Sequence, residues 1–150
     1  MADVLVEQGQ LDEALKAYRD SLAIAEKLAV NGPSNAGWQR DLSVSYDRVA
    51  DVLVEQGQLD EALKAYRDSL AIRKKLAVND PSNAGWQLDL VVSLVKVGTA
   101  VDKSTEVGKQ EAKDNFGRSL EILRHLDKGG RLPPTKKSWI KYLESYLDRL

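Results

Sequence analysis

The sequence predicts an all-α chain of antiparallel helix pairs, and three observations carry that prediction. Residues 2–24 recur unchanged at 50–72, and the wider comparison of 2–49 with 50–97 keeps 40 of 48 positions. Within each 48-residue unit the apolar residues fall at steps of three and four, the spacing of one helical face. Helix breakers stand at matching places, Asn31-Gly32-Pro33-Ser34-Asn35 in the first copy and Asp80-Pro81-Ser82-Asn83 in the second. A period of this length marks one structural unit used repeatedly.

The elements follow in order. Met1 to Gln8 matches the last two turns of a longer helix, Val49 to Gln56, and Gly9 stands where Gly57 does. The expectation is a break at both glycines, since a left-handed residue ends a helix at little cost when it is glycine. The next predicted helix carries Leu11, Ala14, Leu15, Tyr18 and Leu22 on one face. Asn35 to Gln56 forms the first helix of the following pair, with Trp38, Leu42, Tyr46, Val49, Ala50 and Leu53 in phase. Its partner runs from Leu59 to about Val78, with Asp60 and Glu61 in the first turn, where the helix dipole favours carboxylates. A diverged third copy occupies 83–127. The Val-rich run 89–97 has strand propensity, but it aligns with helical 41–49 and is predicted helical. At an offset of 50, Ala112, Phe116, Ser119, Leu120, Ile122 and Leu126 repeat Ala62, Tyr66, Ser69, Leu70, Ile72 and Leu76. Gly129-Gly130 ends that helix. A single helix over 135–150 closes the chain, with Trp139 echoing Trp38 and Trp86. The three tryptophans are expected to be buried anchors. The whole reads as one domain: a partial repeat over 1–30, a repeat over 35–78, the diverged repeat, and the last helix.

The motif Leu-Asp-Glu-Ala-Leu-Lys-Ala-Tyr at 11–18 and 59–66 resembles the tetratricopeptide repeat family. The small residues of that family's packing pattern match Ala2, Ala50 and Gly98, then Ala14, Ala62 and Ala112. The aromatic four residues on matches Tyr18, Tyr66 and Phe116. The resemblance implies a right-handed α-solenoid, and the 48-residue period, with Trp-Gln-Arg-Asp-Leu-Ser-Val-Ser, resembles bacterial long-repeat members. It also implies a protein–protein interaction scaffold that takes a peptide or helix in a concave groove lined by the first helix of each pair. Groove positions that match are Asp3, Val6, Glu7, Asp47, Asp51, Val54, Glu55, Val95, Thr99, Asp102 and Lys103. The Lys, Arg and Asn set with which relatives grip a terminal carboxylate is missing there, so the expected ligand is basic or mixed. The alternative is a structural or self-associating segment of a larger array.

Composition narrows the classes. The net charge of −1 gives no general attraction to nucleic acid or anionic membrane. It is unevenly spread, with 11 basic and 16 acidic side chains over 1–102, a balance of −5, against 11 and 7 over 103–150, a balance of +4. This complementarity, with the terminal helices expected to be open, points to homo-oligomers in which the last helix of one chain covers the first repeat of another. No cysteine is present, so disulfides and thiolate chemistry are excluded and a reducing, cytoplasmic setting is expected. No apolar run reaches the roughly 20 residues that span a bilayer. A single histidine, His125, with no cysteine provides no metal cluster. No nucleophile, base and orienting group converge, so no enzyme and no cofactor are expected. Arg73-Lys74-Lys75 reads as a solvated basic run.

Overall fold

The computed structural model describes the backbone of residues 2–150 and the side chains of residues 7–150. Among them there are helices and connecting turns only: α1 (Ala2–Asn31), α2 (Ala36–Glu55), α3 (Leu59–Asn79), α4 (Ala84–Ala100), α5 (Glu106–Lys128) and α6 (Ser138–Asp148), with a 3-10 turn at Pro134–Lys136. The all-α helix-pair prediction holds. The chain divides into two compact units, residues 1–72 and 73–150, and the division falls inside α3.

In the first unit α1 packs on α2. Leu15, Ala25 and Ala29 bury one stripe of α1, and Val49, Ala50, Val52 and Leu53 bury the end of α2. Asn35 caps α2 by accepting from the Trp38 amide at 3.0 Å, which satisfies one of the free amides of the first turn. Gly57 ends α2 at φ +79°. The Gln58 amide then donates to the Leu53 carbonyl at 2.8 Å and the Gly57 amide to the Val54 carbonyl at 3.0 Å, the paired bonds of a Schellman turn. Beyond that turn Ala62, Ala65, Tyr66, Ser69 and Leu70 are buried, and the Tyr66 hydroxyl donates to the Asp51 carboxylate.

The expected break at Gly9 is not there. α1 is continuous from Ala2 to Asn31, and Gly9 lies inside it. Gly57, with identical neighbours, is the one that turns. Uninterrupted main-chain hydrogen bonds hold residues 7–10 helical where residues 55–58 fold back.

In the second unit α4 packs on α5, and α5 on α6. The Val-rich run is helical inside α4, as expected. Gly98 is there because α5 comes close: a Cβ at that position would meet the Phe116 ring at 3.1 Å. Ala112, Phe116, Leu120, Ile122, Leu123 and Leu126 bury the inner face of α5. The two extra residues of this copy form a different turn. Asp102 accepts from the Ser104 amide and hydroxyl, and the Lys103 ammonium donates to the Gly98, Thr99 and Val101 carbonyls at 3.1, 2.6 and 3.1 Å. Lys103 thereby satisfies the orphan carbonyls at the end of α4. Gly108 is packed so close beneath that a Cβ would fall 1.9 Å from the Asp102 carbonyl oxygen.

Arg73 corrects the reading of a solvated basic run. It is 4% exposed, and its guanidinium donates to the Ser93 hydroxyl at 2.8 Å; Lys74 and Lys75 are exposed. The tryptophans are half-buried rather than fully buried. Trp38 lies over the preceding turn, where a Cβ on Gly32 would meet its ring at 2.6 Å.

Candidate binding site: an apolar groove on α4 and α6

A strongly apolar groove of about 230 Å³ lies in the second unit. Val91 and Leu143, 0% and 1% exposed, form its floor. Val92 and Val95 rise from α4 and Trp139 from α6, all half-buried. Tyr142, 57% exposed, stands at the rim. Its volume is below the roughly 300 Å³ at which small-molecule pockets begin, and it suits a large apolar side chain carried on a partner.

Several contacts fix α6 so that Trp139 forms a wall. Phe116 of α5 meets Tyr146 with ring centroids 4.6 Å apart. Arg124 bridges to Glu144 at 3.2 Å and Lys137 to Asp127 at 3.7 Å, though exposed pairs of this kind contribute little each. The Lys136 ammonium lies 4.3 Å from the Trp139 ring centroid, a cation–π contact that steadies the indole. Gly130, at φ +69°, ends α5 with the same paired bonds as Gly57, Arg131 amide to Leu126 carbonyl at 2.8 Å and Gly130 amide to Asp127 carbonyl at 3.1 Å.

The predicted groove residues fall into separate groups. In α2, Asp47, Asp51 and Glu55 stand at four-residue steps with Val54 beside them. Asp51, Val54 and Glu55 are exposed, but Asp47 is buried at 7% exposure. Asp47 was expected to line an open groove and is instead buried, near enough to the buried Tyr66 for its charge to act on that hydroxyl. Burial, the bond to Asp51 and the charges of Asp51 and Asp47 push the Tyr66 hydroxyl far above its ordinary pKa. Burial, with the charges of Glu26 and Asp68, raises that of Tyr46. Residues 1–72 carry 7 basic and 13 acidic side chains, and nearby carboxylates add to the effect of burial on both phenols. Glu7 is exposed on α1; Asp3 and Val6 lie outside the described side chains. Thr99, Asp102 and Lys103 come together in the α4–α5 turn, where Lys103 is committed to carbonyls. Hydrogen bonds from Ser104 hold the Asp102 carboxyl below the usual range, and burial lowers the Lys103 ammonium.

Trp139, Tyr142 and Val92 were not among the sequence-derived site residues, although Val95 was. The signal was present in the differences between copies, since Ser43 and Asp47 of the first become the groove residues Val91 and Val95 in the second. A larger open concavity of about 550 Å³ holds His125, Arg118 and Glu121 over Leu90 and Ile122. Arg118 there is paired with Glu121 at 3.1 Å. Among the described residues no three His, Cys, Asp or Glu side chains are grouped as metal ligands would be.

Paired helices, small residues at the close approaches and an open groove define a helical-repeat protein. The tetratricopeptide repeat family model matches residues 1–75, half of the chain, and the chain belongs to that family. No curated protein and no solved structure matches the chain significantly. Repeats of this family generally mediate protein–protein interaction and typically serve as non-catalytic scaffolds. No helix among the described residues is long and apolar enough to cross a membrane.

Proposed function

We propose that this chain is a protein-interaction module that takes a helix or peptide of a partner, with a large apolar side chain seated between α4 and α6. The observation that carries the reading is the groove itself: an apolar floor, an indole wall and an exposed tyrosine rim in a unit otherwise rich in charge. Aromatic side chains on a desolvated floor are the usual anchors of interaction surfaces. In the first unit, the exposed Asp51 and Glu55 on α2 favour basic residues in a ligand through charge complementarity. The 48-residue period fits the long-repeat bacterial type, and the lack of cysteine fits the reducing cytoplasm.

The test is a displayed random-peptide selection against the whole chain, followed by affinity measurement on Val95→Asp. That substitution installs the residue the first copy carries at the matching position, Asp47, and so is compatible with the helix. Selected peptides are expected to share a large apolar residue, and Val95→Asp should weaken them by at least tenfold while leaving helicity unchanged. Binders indifferent to Val95→Asp would remove the groove from the account.

A further inference from the structure

We propose that the outer stripe of α1 is a self-association surface, through which two copies of this chain pair antiparallel about a two-fold axis. The inference is independent of the α4–α6 groove. It starts from the two identical segments. In α3 the residues Ala62, Ala65, Ser69, Ile72 and Leu76, spaced three and four apart, are buried or half-buried; Ala62 and Ser69 are at 0% exposure. The same residues in α1 are Ala14, Ala17, Ser21, Ile24 and Leu28. There Ala14 is half-buried and the other four are exposed, Ile24 at 64% and Leu28 at 39%. The stripe in α3 thus shows the covered state of the face that α1 leaves open.

What fits that face is read from its own side chains. Along α1 the stripe runs from small to large: alanine, alanine, serine, isoleucine, leucine. Turned end for end by a two-fold axis, a second copy sets Leu28 against Ala17 and Ile24 against Ser21. The same contacts repeat on the other side of the axis, as an isologous interface requires. Each layer then joins one large and one small residue, which fills space without a clash. Charge agrees with this register. Asp20 and Lys27 flank the stripe on one side, each one residue before a stripe position, and both are exposed. The antiparallel pairing brings Asp20 of one copy beside Lys27 of the other, twice. A parallel pairing in register would set Asp20 beside Ala25 of the other copy and make no such ion pair. Asp20 already pairs with Lys16 within α1 at 3.6 Å, with both side chains largely exposed, and that weak surface contact can be exchanged. A contact of four layers is small beside a stable dimer interface, so the pairing is reversible and concentration-dependent.

Sedimentation equilibrium on the full chain, over a wide concentration series at low salt, tests the proposal. A monomer–dimer equilibrium is expected. Ile24→Glu should weaken it by at least a hundredfold with helicity unchanged, because the side chain is exposed in the monomer. Lys27→Asp should weaken it roughly tenfold, and the double variant Asp20→Lys/Lys27→Asp should restore it. A monomer at every concentration, a dimer that Ile24→Glu leaves intact, or a double variant no better than Lys27→Asp would each overturn the proposal.

Discussion

Residues 2–24 and 50–72 are the same twenty-three amino acids in the same order, yet one runs straight through its glycine and the other turns there. In the second copy Gly57 adopts a left-handed conformation, and the chain folds back to bury Ala62, Ala65, Tyr66 and Ser69. In the first, Gly9 continues α1, and Ala17 and Ser21 remain exposed. Helix propensity cannot separate the two, because every propensity is shared. Burial of the following helix decides, and it is non-local. The pair is an internal control: a given substitution can be made twice in one molecule, with local sequence held constant.

The largest difference is expected at the aromatic position. Tyr66→Ala removes a ring that is 6% exposed and bonded to Asp51, and should cost about 3–5 kcal/mol, as large core truncations do. Tyr18→Ala removes the same ring from a half-buried site and should cost roughly 1 kcal/mol, the middle of the range for ordinary substitutions. Chemical denaturation of the two variants measures the gap, and equal losses would mean that the two faces are equally covered.

A smaller effect is expected at the alanine four residues earlier. Ala62→Leu adds volume at a site with 0% exposure and should cost about 1–3 kcal/mol through overpacking. Ala14→Leu, on the half-buried face of α1, should change stability by less than about 0.5 kcal/mol.

The glycines should give opposite signs. Gly57→Ala forces a Cβ into the left-handed region at φ +79° and should destabilise by about 1–2 kcal/mol. Gly9→Ala replaces a glycine inside a helix and should stabilise by about 0.5–1 kcal/mol. A loss at both positions would show that residues 8–10 turn as residues 56–58 do.

The pairing of the helices was legible because the repeat states it. One register, read for 50–72 and carried forward by 48 and then 50 residues, places α3, α4 and α5 and marks Gly98 as the close approach to Phe116. Other features were not legible, among them the burial of Arg73. The break at Gly9 was inferred from Gly57, and copying a turn between identical sequences fails when its cause lies in the packing of another helix. Asp47 was placed in an open groove by its match to the family's groove positions, but a positional match does not reveal how deeply a side chain is buried. Trp139 was read as an anchor by analogy with Trp38 and Trp86. The groove it walls is formed with Val91 and Val95, which replace Ser43 and Asp47 of the earlier copy. The places where near-identical copies disagree were better guides to the site than the places where they agree.

The most direct measurement uses the absence of any native cysteine. Ala17→Cys and Ala65→Cys introduce one thiol each at equivalent positions of the two identical segments, with matched neighbours and so a matched intrinsic reactivity. At low protein concentration a maleimide should label Ala17→Cys at the rate of an exposed thiol and Ala65→Cys more slowly by at least about a hundredfold, since a buried site reacts only when the structure opens. Equal labelling rates would contradict the claim that one sequence is held here in an open state and a covered one.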